Sequence, residues 1–198
     1  MAGELTGYLA PEDHLEDLLA ELGDAAEVHG RLVLAPGPPR TAAWVANIWR
    51  GPERLAIASI ADGARQLRAR QRNWALYPHV LHRRAGLIAE RLPHVGAKPL
   101  VFPQPAPRAP LGSWMLLDGD TILAAADCSS PFPNGEARFV EDRQGPPNRA
   151  YLKLWEAPID QSQRLPDLQI SAVRRAIPIL DLARHAIGKW AAAKGGGE

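Results

Sequence analysis

Arg149, Lys153 and Glu156 fall at i, i+4 and i+7 of a segment that Asn148 would cap as a helix, so their side chains share one face. Ala150, Tyr151, Leu154 and Trp155 supply the packed side of that helix. A lysine held beside an arginine on a short anchored helix has its pKa drawn below the reference of about 10.4, by the neighbouring positive charge and by partial burial. A lowered pKa is what a lysine base needs. Glu156 acts in the opposite sense, because a carboxylate stabilises the ammonium. The same pattern also describes a solvated surface lysine with a carboxylate at i+3. Two readings of Lys153 therefore stand side by side.

A second concentration of chemistry lies upstream. Residues 65–91 hold seven arginines against one acid, Glu90, whereas residues 1–30 hold eight acids and no Lys or Arg. Charge separated in this way makes a field, and a basic face attracts phosphate. Arg65, Arg68, Arg72, Arg83 and Arg84 are the candidate phosphate contacts, with Arg149 added from the downstream helix. Trp74 is the candidate for stacking on a base. A solvated arginine-rich surface is the alternative.

The remaining candidates carry less. His79 and His82 lie three apart, with no third ligand at useful spacing, so no metal is expected. Cys128 has no histidine near it in sequence and reads as a small buried residue. Trp44, Trp49, Trp114, Trp155 and Trp190 read as core or interface residues. No phosphate-loop pattern occurs.

Residues 6–10 read as a strand and Pro11 as a helix start. Leu15, Leu18, Leu19 and Leu22 keep helical spacing up to Gly23. Residues 28–34 read as a second strand, which gives a β-α-β beginning. Residues 44–49 and 55–60 are further apolar runs, followed by a helix over 61–71 and a second arginine-bearing helix over 79–92. Residues 99–110 contain five prolines and must be extended or turning. Residues 113–117 and 121–126 flank Asp118, Gly119 and Asp120, a hairpin signal. Pro131, Pro133, Asn134 and Gly135 force a turn, and residues 137–140 are a short strand candidate. Residues 170–193 form a helical tail with Ile179, Ala183, Ala186, Ile187 and Trp190 in one stripe.

The 198 residues are enough for one large or two small domains, and the net charge is only +1. A single cysteine allows no disulfide within the chain, so a cytoplasmic protein is expected. No apolar run approaches the ~18 residues of a membrane span. The acidic N-terminus lacks the basic-then-apolar pattern of a signal segment. The fold class expected is α+β: strands, two or three helices and one β-hairpin, then a short helical C-terminal tail.

The stretch from Ser130-Pro-Phe through Gly135, Arg138 and Phe139 to Arg149-Ala-Tyr-Leu-Lys-Leu-Trp-Glu-Ala157 resembles a known joining segment. It is similar to the one between the two halves of the RlmM-like cytidine 2′-O-methyltransferases of large-subunit ribosomal RNA. Their wider FtsJ-type group has a similar Arg-x-x-x-Lys-Leu-x-Glu helix. The resemblance covers about residues 6–157. It implies a ferredoxin-like, THUMP-related RNA-binding region over 1–127, and a linker with the first methyltransferase helix over 128–157. It also implies that Lys153 matches the first lysine of a Lys-Asp-Lys-Glu tetrad, which removes the ribose 2′-hydroxyl proton as S-adenosylmethionine delivers its methyl group. Glu156 matches the helix glutamate and not that of the tetrad.

The chain departs from the family after Ala157. The family's Asp-x-Gly-x-x-Pro-Gly-Gly-Trp loop has only an echo in Asp181, Gly188 and Trp190, with Ala183 at the first glycine position and no proline. Residues 158–198 are too few for a doubly wound domain of typical size. The expectation is an RNA-binding module with ribosomal RNA as partner, no DNA, and no S-adenosylmethionine bound by this chain alone. The alternatives are an enzyme completed by a second chain docking on the C-terminal helix, and a non-catalytic protein-interaction module.

Overall fold

The computed structural model describes residues 4–96, 99–101, 107 and 110–140. The chain divides into two compact units: Met1–Ala97 with Pro107–Glu136, and Lys98–Ala106 with Ala137–Glu198.

Strand β1 (Leu5–Leu9) leads into helix α1 (Leu15–Leu22). Gly23 ends that helix in the left-handed conformation at φ 74°, and its N–H donates to the Leu19 carbonyl. The single strand expected over 28–34 is two strands, β2 (Glu27–His29) and β3 (Leu32–Pro36). Gly30 turns the chain between them with φ 61°. A side chain there would also collide with the neighbours, since a Cβ would lie 2.7 Å from the Tyr77 hydroxyl oxygen.

After β4 (Asn47–Arg50) the first sheet is complete but for its last edge. β1 pairs antiparallel with both β3 and β4, and β2 pairs antiparallel with β3, giving the order β2-β3-β1-β4. β1-α1-β2 is thus a split β-α-β unit, with β3 inserted between two parallel strands.

A second sheet follows. Its elements are β5 (Glu53–Ala56), α2 (Ile60–Arg70), β6 (Trp74–Leu76), α3 (His82–Ala89), β7 (Gly112–Leu116) and β8 (Thr121–Ala125). The order is β5-β8-β7-β6, with β6 parallel to β7 and the other pairs antiparallel. The β7-β8 hairpin turns at Asp118–Asp120, where Asp118 accepts the Asp120 N–H at 3.0 Å. Ser59 caps α2 by accepting the Asp62 N–H at 3.1 Å. α3 begins three residues later than the sequence predicts, because Leu81 takes φ 51°, outside the right-handed helical region.

The alternation of side chains stacks these elements in four layers. Tyr8, Val33, Ala35 and Ile48 face Leu18 and Leu22 of α1. The opposite faces of the same strands, through Leu9, Leu32, Leu34 and Trp49, meet Met115, Leu123 and Ala125 of the second sheet. The outer face of that sheet, Trp114, Leu116, Ile122 and Ala124, is covered by Ala64 and Leu67 of α2 and by Ala85 and Ile88 of α3. The fold is α+β, with two sheets between two helix layers.

Short strand β9 (Asp127–Cys128) adds the fifth strand to the first sheet by pairing with β4. Beyond it the chain is fastened to Asn47, which is 1% exposed. Asn47 Nδ2 donates to Ser113 Oγ at 3.3 Å, and Asn47 Oδ1 accepts the Ser130 N–H at 3.0 Å and the Ser129 hydroxyl at 3.3 Å. Ser129 Oγ in turn accepts the Ile48 N–H at 2.8 Å. Gly135, at φ 78°, lies so close to Ala46 that a Cβ would stand 2.3 Å from its carbonyl oxygen.

The first unit runs on through these contacts to Glu136. Asn47→Ala removes one buried side chain that serves three partners and leaves two half-buried donors, the Ser129 hydroxyl and the Ser130 N–H, without it, so it is expected to cost about 2 kcal/mol. Denaturant unfolding checks this; a loss under about 0.5 kcal/mol would mean that the network contributes little.

In the second unit, residues 137–140 do not form a full strand. Leu100 and Phe139 make an isolated parallel bridge, in which Leu100 N–H donates to Arg138 O at 2.7 Å and Val140 N–H donates to Leu100 O at 2.8 Å. Lys153, Arg149 and the tail over 158–198 lie outside the described residues.

Candidate nucleic-acid interface

Burial of Ala64, Leu67, Ala85 and Ile88 beneath α2 and α3 turns the polar positions of both helices outward. Arg65 and Arg68 are exposed on α2, Arg72 just after it, Arg83 on α3 and Arg91 just beyond it. The helices pack on one another, and Arg68 Nη1 donates across to the Arg91 carbonyl at 3.4 Å. The arginines predicted from sequence thus come from two helices onto one layer.

They are not equivalent. Arg65 pairs with Asp62 one turn earlier, and Arg70 with Glu53 of β5 at 3.0 Å. The Arg65 guanidinium, with the Ala58 N–H, holds the Asp62 carboxyl down at about 2, so this partner stays ionised across the whole working range. Arg84 is half-buried, and its Nε is buried without a hydrogen-bond partner among the described residues. Arg68, Arg72, Arg83 and Arg91 have no carboxylate partner among the described residues. These four are exposed; Arg84, half-buried, likewise has no carboxylate partner among the described residues. Arg91 was not among the sequence candidates, although its place within the basic window was signal enough.

Trp74 must be withdrawn as a stacking platform. Its ring is 4% exposed and belongs to the core under α2. Its Nε1 donates to the carbonyls of Leu67 and Gln71, at 2.9 and 3.0 Å. The polar end of the indole caps the C-terminus of the helix, and the π-face is spent on packing. Trp49 and Trp114 are in the core as expected. Trp44 is half-buried and stacks on His14 with ring centroids 4.4 Å apart.

The acids gather elsewhere. α1 carries Glu16 and Asp17 in its first turn and no basic residue in its last, and exposed Glu12, Asp13 and Asp24 flank it. Glu21 is engaged internally, accepting the N–H groups of Ala43 and Trp44. Since α1 covers the outer face of the first sheet and α2 with α3 that of the second, the charge asymmetry of the sequence becomes an asymmetry of two opposite layers.

A smaller titratable group surrounds the β2-β3 turn. His79 stacks on Tyr77 and stands edge-on to His29, with centroids 6.5 and 6.4 Å away. His29 bonds to Glu27 at 3.0 Å, and the Glu27 carboxyl is held below its usual range, first by Arg54 and then by His29. Tyr77 accepts the Arg31 N–H at 2.8 Å. This group ties the hairpin to the second sheet. Among the described residues no cluster of His, Cys, Asp or Glu is arranged to hold a metal ion.

Cys128, expected to be buried, is half-buried. Burial pushes its pKa up to about 11, and its Sγ lies 3.6 Å from the Ala125 carbonyl oxygen. At pH 8 the folded protein is expected to react with an alkylating reagent roughly a hundredfold more slowly than the unfolded chain, because almost no thiolate is present. Equal rates in buffer and in denaturant would contradict this placement.

No helix among the described residues is long and apolar enough to cross a membrane. No protein-family model, curated protein or solved structure gives a significant match to the chain.

Proposed function

We propose that this chain is an RNA-binding module of the RlmM-like ribose 2′-O-methyltransferase lineage. It holds large-subunit ribosomal RNA on the α2-α3 layer and does not transfer methyl groups by itself. The observation that carries the reading is the set of four exposed arginines, Arg68, Arg72, Arg83 and Arg91, without carboxylate partners among the described residues, on the layer opposite the acidic helix. Phosphate neutralisation by arginine releases counterions and supplies affinity without any deep pocket.

The split β-α-β unit supports the ferredoxin-like, THUMP-related part of the reading. Four of the five strands of the first sheet, β2-β3-β1-β4, are antiparallel neighbours in an order compatible with a ferredoxin-like sheet; residues 37–46 stand where such a fold has its second helix, and β9 adds a strand beyond it. The segment resembling the family linker leaves this body along β9, Ser129 and Ser130. In this reading Lys153 and Arg149, which lie outside the described residues, belong to the segment that the resemblance covers, and these 198 residues alone do not bind S-adenosylmethionine.

The test is fluorescence-anisotropy titration of a labelled large-subunit ribosomal RNA fragment with the full chain, beside calorimetry with S-adenosylmethionine. Saturable RNA binding that weakens steeply with salt, and no heat from the cofactor, are expected. Absence of RNA binding at 50 mM salt, a low-salt condition that favours phosphate contacts, would overturn the proposal.

A further inference from the structure

Resting on the reading that this chain binds RNA, we propose that His29 and His79 are the general base and general acid of a separate site, which cleaves RNA by attack of its own 2′-hydroxyl. The two rings come from segments 50 residues apart in sequence. They stand edge-on with centroids 6.4 Å apart, close enough for one phosphodiester to touch both. Both residues are half-buried. His29 Nε2 bonds to a Glu27 oxygen at 3.0 Å, and the other ring nitrogens of the pair make no hydrogen bond among the described residues. None of those three nitrogens is buried, so solvent reaches each of them. Gly30 keeps the place clear, since a Cβ there would lie 2.8 Å from His79 Nδ1.

The hydrogen bonds assign the roles. Arg54 and then His29 hold the Glu27 carboxyl below its usual range, so it is ionised and only accepts. His29 Nε2 therefore carries the hydrogen of their bond, and in the neutral ring Nδ1 holds the lone pair. A carboxylate behind an imidazole fixes the tautomer of a base in this way. His79 has no carboxylate behind it among the described residues and acts as the acid. Arg31 brings positive charge: its guanidinium carbon is 6.0 Å from the Tyr77 ring centre, its Nη1 donates to the Ala10 carbonyl, and its Nη2 stands 3.5 Å from Glu136. These residues present no exposed hydroxyl or thiol, because Tyr77 is 6% exposed and its oxygen accepts the Arg31 N–H. The nucleophile must come with the substrate, and RNA is the phosphodiester that carries one. Its 2′-oxygen bonds to phosphorus as His29 Nδ1 takes the hydroxyl proton. The bond from phosphorus to the 5′-oxygen breaks as protonated His79 gives that oxygen a proton. The products are a 2′,3′-cyclic phosphate and a 5′-hydroxyl, and exchange with water resets both rings. Imidazole suits both roles because its charge changes between about pH 5 and 8.

The experiment incubates the full chain with a labelled large-subunit ribosomal RNA fragment, and with the same sequence bearing 2′-O-methyl groups throughout. Wild type is compared with His29→Gln, His79→Gln and His79→Phe, the last of which keeps a ring against Tyr77. His94→Gln, at an exposed histidine outside the group, is the control. Thermal unfolding and binding of the methylated RNA report the fold and RNA contact of each protein. Wild type and His94→Gln are expected to cut the unmodified RNA, to leave 2′,3′-cyclic phosphate ends identified by mass spectrometry, and to spare the methylated RNA. His29→Gln and both His79 variants should cut at least about a hundredfold more slowly and bind within about threefold of wild type. Should a glutamine variant fail to fold, His79→Phe and the methylated RNA carry the test. No cleavage by wild type, or equal cleavage by the variants, overturns the proposal and leaves the RNA-binding reading intact. Cleavage of the methylated RNA overturns it too, because the 2′-hydroxyl is then not the nucleophile. If neither RNA binds, the underlying reading falls as well.

Discussion

Trp49→Ala is expected to lower the free energy of unfolding by about 3–5 kcal/mol, close to the loss that a large buried aromatic incurs in a well-packed core. Trp49 is fully buried and packs with Leu9, Leu32, Leu34, Met115 and Leu123, so its indole belongs to both sheets at once. Gly7 lies directly beneath it, with a built Cβ only 3.1 Å from the Trp49 Cβ, so the backbone is already as close as it can come. The hole left by alanine cannot be closed by a shift of that strand. Trp49→Phe should cost less, about 1–2 kcal/mol, since the indole Nε1 is buried without a hydrogen-bond partner among the described residues. Urea unfolding should show the midpoint falling with the slope unchanged. A loss below about 1 kcal/mol for alanine would mean that the sheets do not share this core.

The second large effect is electrostatic. Replacing Arg68, Arg72, Arg83 and Arg91 together by glutamine is expected to remove about four phosphate contacts, and with them close to four units of salt slope. Between 50 and 200 mM salt the wild-type chain should then lose about a hundredfold more affinity for RNA than the variant does. Stability should change little, because exposed residues away from the core contribute within about 0.5 kcal/mol each. Arg65→Gln alone should matter less than Arg68→Gln, since Arg65 already faces an ionised Asp62. Parallel salt dependences for wild type and the fourfold variant would remove these arginines from the interface.

Much of this was legible in the sequence at the level of single elements. Leucines at helical spacing ahead of Gly23 gave α1, and Asp118-Gly119-Asp120 between apolar runs gave the β7-β8 hairpin. Period and turn chemistry are local, so one segment suffices to read them. The two-sheet stacking was not read, although a trace of it was present. Leu32 to Ala35, Gly112 to Leu116 and Ile122 to Ala125 are buried at every position and do not alternate with polar residues. A strand covered on both faces looks like that, but the pattern does not say which strands share a sheet.

Gly30 shows a second limit. It stands between His29 and Arg31 inside a stretch read as one strand, and its φ of 61° makes the turn, while the Tyr77 hydroxyl, 47 residues away, closes the place to any side chain. Trp74 shows a third. Its arginine-rich surroundings in sequence pointed to solvent, yet the residue starts a strand whose side chain turns inward. The arginines were found because net charge over a window survives folding. Their inequality was not read: the Asp62–Arg65 pair follows the i,i+3 spacing of a helix and was open to reading, whereas Glu53 reaches Arg70 from β5 through tertiary geometry that no spacing rule contains.

On the proposed function RNA meets the α2-α3 layer and avoids the α1 layer. Photocrosslinking tests it most directly: a ribosomal RNA fragment carrying 4-thiouridine is irradiated with the full chain, and the crosslinked peptides are located by mass spectrometry. Crosslinks within residues 60–72 and 82–91, and none within 12–24, are the predicted result. Crosslinks concentrated on residues 12–24 would contradict it.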